Sequence, residues 1–266
     1  MPYWRTYREF WRLNFLTLAE YRANFFVWLV FTIVLHGSAL ATIWLAMRQF
    51  PIMNGWTWQQ VAFLYSLYML AHSLNNALFF TVGDVPWHIR DGTFDRIMVR
   101  PLDPLFQVLS QPGQNWPDDL ALAIIVFGVA QGLVHLVWTP LTLLLVLGGM
   151  AGGALIDFAV QLAVATIAFW VIRLDTLRWV VMSLETDFTR YPLSIYNKLV
   201  RFTLSFVFPF AFMNYFPAST LLQKTGSAYG INPVLGWLTP IVGAIWFAGA
   251  YLFWRRGLNH YQSTGS

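Results

Sequence analysis

The chain has 266 residues, of which 58% are hydrophobic and 18% aromatic, with only 11% charged and a formal net charge of +4. A soluble domain carries roughly 25% charged residues, so lipid is the solvent for most of this surface, in line with a mean hydropathy of +0.55. The absence of cysteine excludes disulfides and thiolate metal sites and leaves the compartment unread from redox usage.

Residues 2–22 come first. Trp4, Tyr7, Trp11, Phe15 and Leu18 recur at steps of three and four, with Arg5, Arg8, Glu9 and Arg12 between them. That spacing predicts an amphipathic helix lying in the headgroup layer, or an aromatic belt flanking the first span. The hydrophobic run after it is too long for a signal-peptide core and lacks a small-residue cleavage site, so it reads as a retained membrane helix.

Crossing the ~30 Å hydrocarbon core takes about 20 apolar residues. Charge-free blocks cover 23–47, 49–83, 120–156, 202–223 and 225–254, and 120–172 holds a single charge, Asp157, over a length sufficient for two crossings. The pattern predicts an all-α polytopic membrane protein with one transmembrane domain over 1–266. Its six spans fall at about 24–47, 59–82, 120–138, 145–172, 199–216 and 234–254. Pro209 should kink the fifth. Residues 84–119, punctuated by Pro86, Gly92, Pro101, Pro104, Pro112 and Pro117, form the largest connection. Residues 173–198 read as a second amphipathic connection on the same side, and 217–233 as an outer loop that is partly re-entrant. "GGMAGG" (148–153) permits close helix approach.

Bases accumulate on the cytoplasmic side of short loops. With the N-terminus inside, inner segments hold Arg5, Arg8, Arg12, Arg22, Arg90, Arg96, Arg100, Arg173, Arg178, Arg190, Lys198, Arg201, Arg255 and Arg256. Those fourteen face only Arg48 and Lys224 outside, which predicts cytoplasmic termini and argues against a nucleic-acid role for a pI near 9.5.

No phosphate-loop pattern, no H-E-x-x-H and no G-x-S-x-G occurs, and His36, His72, His88, His135 and His260 are scattered without companions at ligand spacing. Catalysis and nucleotide binding by this chain are therefore not expected. Polar residues inside spans are candidates for lining a pathway. Asp157 is either a substrate or ion contact or a charge complementing a helix N-terminus. Asn75 and Asn76 either line a path or hydrogen-bond a neighbouring helix. Asn214 and Tyr215 either gate an outer mouth or sit in the aromatic belt, and Phe206 joins them as a candidate pathway-lining residue.

The segment 84–119 is different in kind. Arg90 to Asp103 carries three arginines and three aspartates, interleaved with Phe94, Ile97, Met98 and Leu102. A solvated connector has no need for so many apolar residues at the water boundary, so a short helix docking on a soluble partner fits better.

"DGTFDRIMVRPLDPLFQVL" (91–109), "FWVIRLDTLRWVV" (169–181), "RYPLSIYNKLVRFTLSFVFPFAFMNYFPASTLL" (190–222) and "WRRGLNHYQSTGS" (254–266) resemble the ABC-2 type permease family across essentially the whole chain. The resemblance implies a type V exporter-like permease with an interfacial helix over 2–22, a coupling helix within 84–119 and a re-entrant element within 217–233. It further implies two ABC ATPase subunits, which bind the ATP and magnesium that this chain does not, and a second permease chain, either a distinct homologue or a second copy. Location in the inner (plasma) membrane follows. Under this resemblance Arg90, Asp91, Phe94, Arg96, Ile97, Arg100, Leu102 and Asp103 couple the chain to the ATPase, with Arg96 and Arg100 ion-pairing and Phe94, Ile97 and Leu102 forming the docked face. The implied function is export of an amphiphilic or drug-like substrate by alternating access. The competing readings are a lipid- or polysaccharide-translocating permease and an ATPase-independent carrier. The aromatic richness of the spans suits an aromatic cation or ordinary packing against lipid and core.

Overall fold

The computed structural model describes residues 22–111, 116–171, 174–225 and 231–262, so the expected interfacial helix over 2–22 lies outside the described residues apart from Arg22. Two helical stretches, Phe25–Gln49 and Pro140–Phe169, are long and apolar enough to cross a membrane, and a third qualifies if a bent pair counts as one span.

Helix α1 (Arg22–Gln49) is about 42 Å long at 1.5 Å per residue. It turns Phe26, Val27, Val30, Phe31 and Val34 outward and buries Thr32, His36, Ile43 and Met47, the arrangement lipid favours. A two-residue hairpin turn follows: Met53 and Trp56 exchange backbone hydrogen bonds at 2.9 and 3.1 Å. Asn54 and Gly55 between them both take positive φ, as the Asn-Gly turn requires. Helix α2 (Trp58–Phe79) is the central post, buried without interruption from Val61 to Ala71 and packed on α6 (Trp116–Leu133) and α7 (Pro140–Thr166).

Thr139 caps α7, its hydroxyl accepting from the Thr142 N–H at 3.1 Å. Helix α12 (Thr239–His260) runs parallel to α7 at very close range. A Cβ on Gly152 would sit 2.7 Å from Thr239 and Pro240 backbone atoms, and one on Gly243 would strike the Gly152 backbone; farther down, Gly257 abuts Phe169 and Thr166. Glycine is what permits this approach.

Between α2 and α6, the short helices α3 (Val85–Arg90), α4 (Asp95–Met98) and α5 (Pro104–Leu109) form a compact cap on one end of the bundle. It has its own core: Val82, Val85, Ile89, Phe94, Ile97, Leu105 and Val108 pack on Phe158, Ala159 and Leu162 of α7 and on Ala250 and Trp254 of α12.

Helix α8 (Asp175–Thr189) departs from the sequence expectation. Residues 173–198 were expected to stay on the side of the cap. Instead Arg178 donates to the Gly83 carbonyl at the cap (2.7 Å), while Ser194, just past the other end, accepts from Asn54 in the α1–α2 turn at 2.7 Å. The segment therefore traverses the bundle. The face it turns inward is mixed: Leu174, Val181, Glu185 and Thr189 are buried, while Asp175, Leu177 and Trp179 are exposed.

The expected fifth span, 199–216, is not one straight helix. Helical residues Lys198–Val207, beginning as α9 (Lys198–Phe202), and Phe210–Leu221, ending as α10 (Tyr215–Leu221), are bent by 79°. Pro209, lacking an N–H and fixed in φ, breaks the ladder there. The first arm leaves Leu199, Phe202 and Phe206 exposed; the second is buried, with Met213 and Pro217 against Gly153 and Gly149 of α7. Helix α11 (Val234–Trp237) leads into α12.

Candidate functional site

Two places hold the chemistry. At the cap, the arginines point outward and Phe94 points inward. Phe94 is fully buried, with ring centroids 5.0 Å from Tyr261, 5.5 Å from Phe169 and 6.2 Å from Trp254. Ile97 is buried as well. Neither is available to a partner, which corrects the expectation that they form the docked face: they hold the cap onto the bundle. Leu102 is half-buried and its carbonyl accepts from Gln107 at 2.9 Å. Asp103 caps α5, accepting from the Phe106 N–H at 3.0 Å.

What remains outward is a mixed surface. Trp87, Met98 and Val99 are exposed, Val99 at 82%, together with Arg90, Asp91, Arg96 and Arg100. The Arg90 guanidinium lies 3.8 Å over the Trp87 ring and pairs with Asp91 at 3.4 Å. Val99 was not singled out from sequence, because only the packing reveals which apolar side chains of the cap stay outside. Below the cap, burial pushes the Asp84 carboxyl above its usual range, and Arg178 and His88 partly oppose this. Tyr261 donates to Asp95 at 2.7 Å; burial and that carboxylate raise its phenol.

The second place is a polar seam inside the bundle. On α2, Tyr65, Tyr68, His72 and Asn76 recur at steps of three and four, so they share a face. His36 of α1 contacts the Tyr65 hydroxyl at 2.9 Å and Asp119 of α6 at 3.3 Å. Asn76 donates to the other Asp119 oxygen at 3.1 Å, and Thr32 to Asp118 at 3.1 Å. One turn away, His72 Nδ1 meets Asp157 of α7 at 2.8 Å and Glu185 of α8 at 3.2 Å. Gln161 donates to the second Asp157 oxygen at 2.7 Å, and the Tyr68 ring stacks on His72 at 5.4 Å. The ligand atoms of His72, Asp157 and Glu185 lie within 4.8 Å of one another, a set that could hold a metal ion.

Of the expected pathway residues, only Asn76 and Asp157 hydrogen-bond within this seam. Asn75 is buried and neither atom of its amide finds a hydrogen-bond partner among the described residues. Asn214 donates to the Thr189 carbonyl at 2.6 Å, Tyr215 packs on Trp56 at 5.7 Å, and Phe206 faces outward. Glu185 was missed because its helix was taken for a connection, and His72 because histidine spacing along one strand of sequence does not reveal partners on other helices.

Among the described residues the regular structure is helical, with membrane-length apolar helices and several buried polar groups, as befits a membrane-integral protein. The sequence profile of ABC-2 family transporter proteins matches residues 33–265, and the chain belongs to that family. It is a permease of an ABC transporter, a membrane subunit of the kind that associates with ABC ATPase subunits. No curated protein and no solved structure matches.

Proposed function

We propose that this chain is the permease subunit of an ABC exporter, crossing the membrane six times through α1, α2, α6, α7, α8 and α12, with the cap and both termini in the cytoplasm. Assigning α8 rather than 199–216 as the fifth crossing moves Arg190, Lys198 and Arg201 to the outer side. Taking those three from the fourteen inner bases leaves eleven against five, still inside-biased. The bent pair around Pro209 then becomes a re-entrant element at the outer face.

One observation carries the reading: the cap presents Trp87, Arg90, Arg96, Met98, Val99 and Arg100 outward while its own aromatic core fastens it to α7 and α12. A surface of that composition suits a protein partner, and a rigid mount transmits a push. The partner ATPases bind ATP and magnesium, close on each other and drive the cap; two permease chains, alike or homologous, then alternate between inward- and outward-open forms. The cargo is an amphiphilic molecule entering between the two chains.

Val99→Asp combined with Arg100→Glu is expected to weaken co-purification of the ATPase by an order of magnitude or more, about the loss at an interface hot spot, with unchanged melting temperature. Wild-type ATPase capture and stimulation by that variant would overturn the docking face. The polar seam favours a second reading, an ATPase-independent carrier driven by protons. Uphill solute movement by the chain alone in vesicles, without nucleotide, would decide for it.

A further inference from the structure

Among the described residues, the carboxyl groups of the seam outnumber its bases. Asp118, Asp119, Asp157 and Glu185 are met by two histidines, His36 and His72. Arg190 pairs with Asp187 at 3.7 Å. An uncompensated charge among apolar helices is costly.

The imbalance is sharpest at His72. Its Nδ1 faces Asp157 at 2.8 Å and Glu185 at 3.2 Å, and one ring nitrogen carries at most one proton to share between two carboxylates. With bonds of about 2.0–2.2 Å, neighbouring ligand atoms lie about 3.0–3.6 Å apart; the two histidine–carboxylate separations fall just below and just above the short end of that range, and all three atoms fall within 4.8 Å of one another. The supporting shell is present too. Gln161 holds the far Asp157 oxygen and the Tyr68 ring stacks on the imidazole, the kind of outer contact that orients ligands. One turn along α2, Asn75 is buried with an unpartnered amide, hydrogen-bonding capacity that protein atoms leave unused.

We propose that His72, Asp157 and Glu185 bind one divalent cation, zinc(II) or manganese(II), pinning α2, α7 and α8 together at mid-bundle. One imidazole with two carboxylates suits zinc(II), which takes nitrogen and oxygen alike, and the oxygen-preferring manganese(II), and a doubly charged cation with a neutral imidazole and two carboxylates brings the site to zero net charge. The site lies within one protomer and is independent of the transport reading.

Cobalt(II) is the probe, added to the full-length chain purified in detergent at neutral pH, with bound metal quantified after dialysis and its visible absorption recorded. About one cobalt per chain is expected, displaced by zinc(II). Glu185→Gln and Asp157→Asn, which keep shape and hydrogen bonding, should each weaken binding by about 100-fold or more, and Asp118→Asn, in the other half of the seam, should leave it unchanged. Melting curves without metal establish that each variant folds. If one does not, pulsed EPR of the wild-type chain with bound manganese(II) decides, a ligand-nitrogen signal supporting the site. Absence of bound cobalt, zinc or manganese overturns the proposal, as does equal binding by Glu185→Gln. Stabilisation that follows pH alone, without metal uptake, means that protons neutralise the cluster, and overturns it too.

Discussion

The cap and the bundle solve the same folding problem with opposite polarity. In the cap, Phe94, Ile97, Leu105 and Val108 are buried and Arg90, Arg96 and Arg100 stand outside, as in any small water-facing domain. In the bundle, Asp157, Glu185 and Asp118 are buried and Phe26, Val30, Leu144 and Ile245 stand outside. The difference lies in the solvent. Water rewards exposed charge and buried carbon, whereas hydrocarbon offers charge nothing and drives every polar group toward other protein groups. The two arrangements adjoin at Gly83, Asp84 and Arg178, where the Arg178 guanidinium donates to the Gly83 carbonyl.

The sharpest way to break that contrast is to remove the base from the inverted half. His72→Leu leaves the Asp157 and Glu185 carboxylates converging, with Gln161 on the first and the Tyr68 hydroxyl on the second as their remaining partners. Breaking a buried ion pair costs about 3–5 kcal/mol, which thermal unfolding in detergent should register. The triple replacement of His72, Asp157 and Glu185 by leucine should be more stable than His72→Leu alone, because an apolar set of similar volume needs no compensation. If His72→Leu cost no more than an exposed substitution, the seam would not be holding charge.

A smaller effect belongs to the apolar contact beside the seam. Gly243→Leu forces a Cβ into the Gly152 backbone, whereas a Cβ on Gly249 of the same helix meets nothing within 4 Å. Overpacking of this kind costs about 1–3 kcal/mol, so Gly243→Leu should melt well below Gly249→Leu. Equal melting would mean that α7 and α12 separate freely.

How far sequence reached into this molecule follows from the same inversion. Apolar run length located α1 and α7, which are long and apolar enough to cross a membrane, and charge mixed with aromatics set 84–119 apart from a plain connector, because both signals are independent of direction. Periodicity is not. It reports that α8 has two faces without saying which one meets solvent: Leu174, Leu177, Val181, Leu184 and Phe188 can share one face with Glu185 off it, and the pattern goes no further. Glu185 is 3% exposed, and Leu177 is the exposed one at 39%. In the cap the same ambiguity ran the other way: Phe94 and Val99 are both apolar, and only the packing of Phe169, Trp254 and Tyr261 around the first distinguishes anchor from docking surface. The seam was hidden for a third reason. His36, His72, Asp119, Asp157 and Glu185 come from five helices, and no local spacing encodes their meeting.

The smallest predicted effect tests whether the cap is a folded unit in its own right. Helix α5 is only six residues long, Pro104 to Leu109, too short to persist without help. Pro104 presets its first turn, and Asp103 supplies the acceptor for the Phe106 N–H at 3.0 Å. From that turn Gln107 reaches back to the Ile97 and Leu102 carbonyls, both at 2.9 Å, tying α5 to α4 and thus to the surface around Val99. Asp103→Ala removes the cap at a cost of about 1 kcal/mol. Because the cap carries its own core, the loss should be local: amide exchange over 97–109 should speed by roughly fivefold, the equivalent of that energy, while exchange in α2 and α7 stays put. Uniform acceleration across the chain would instead make the cap and the bundle one cooperative unit, with no boundary between them at Gly83.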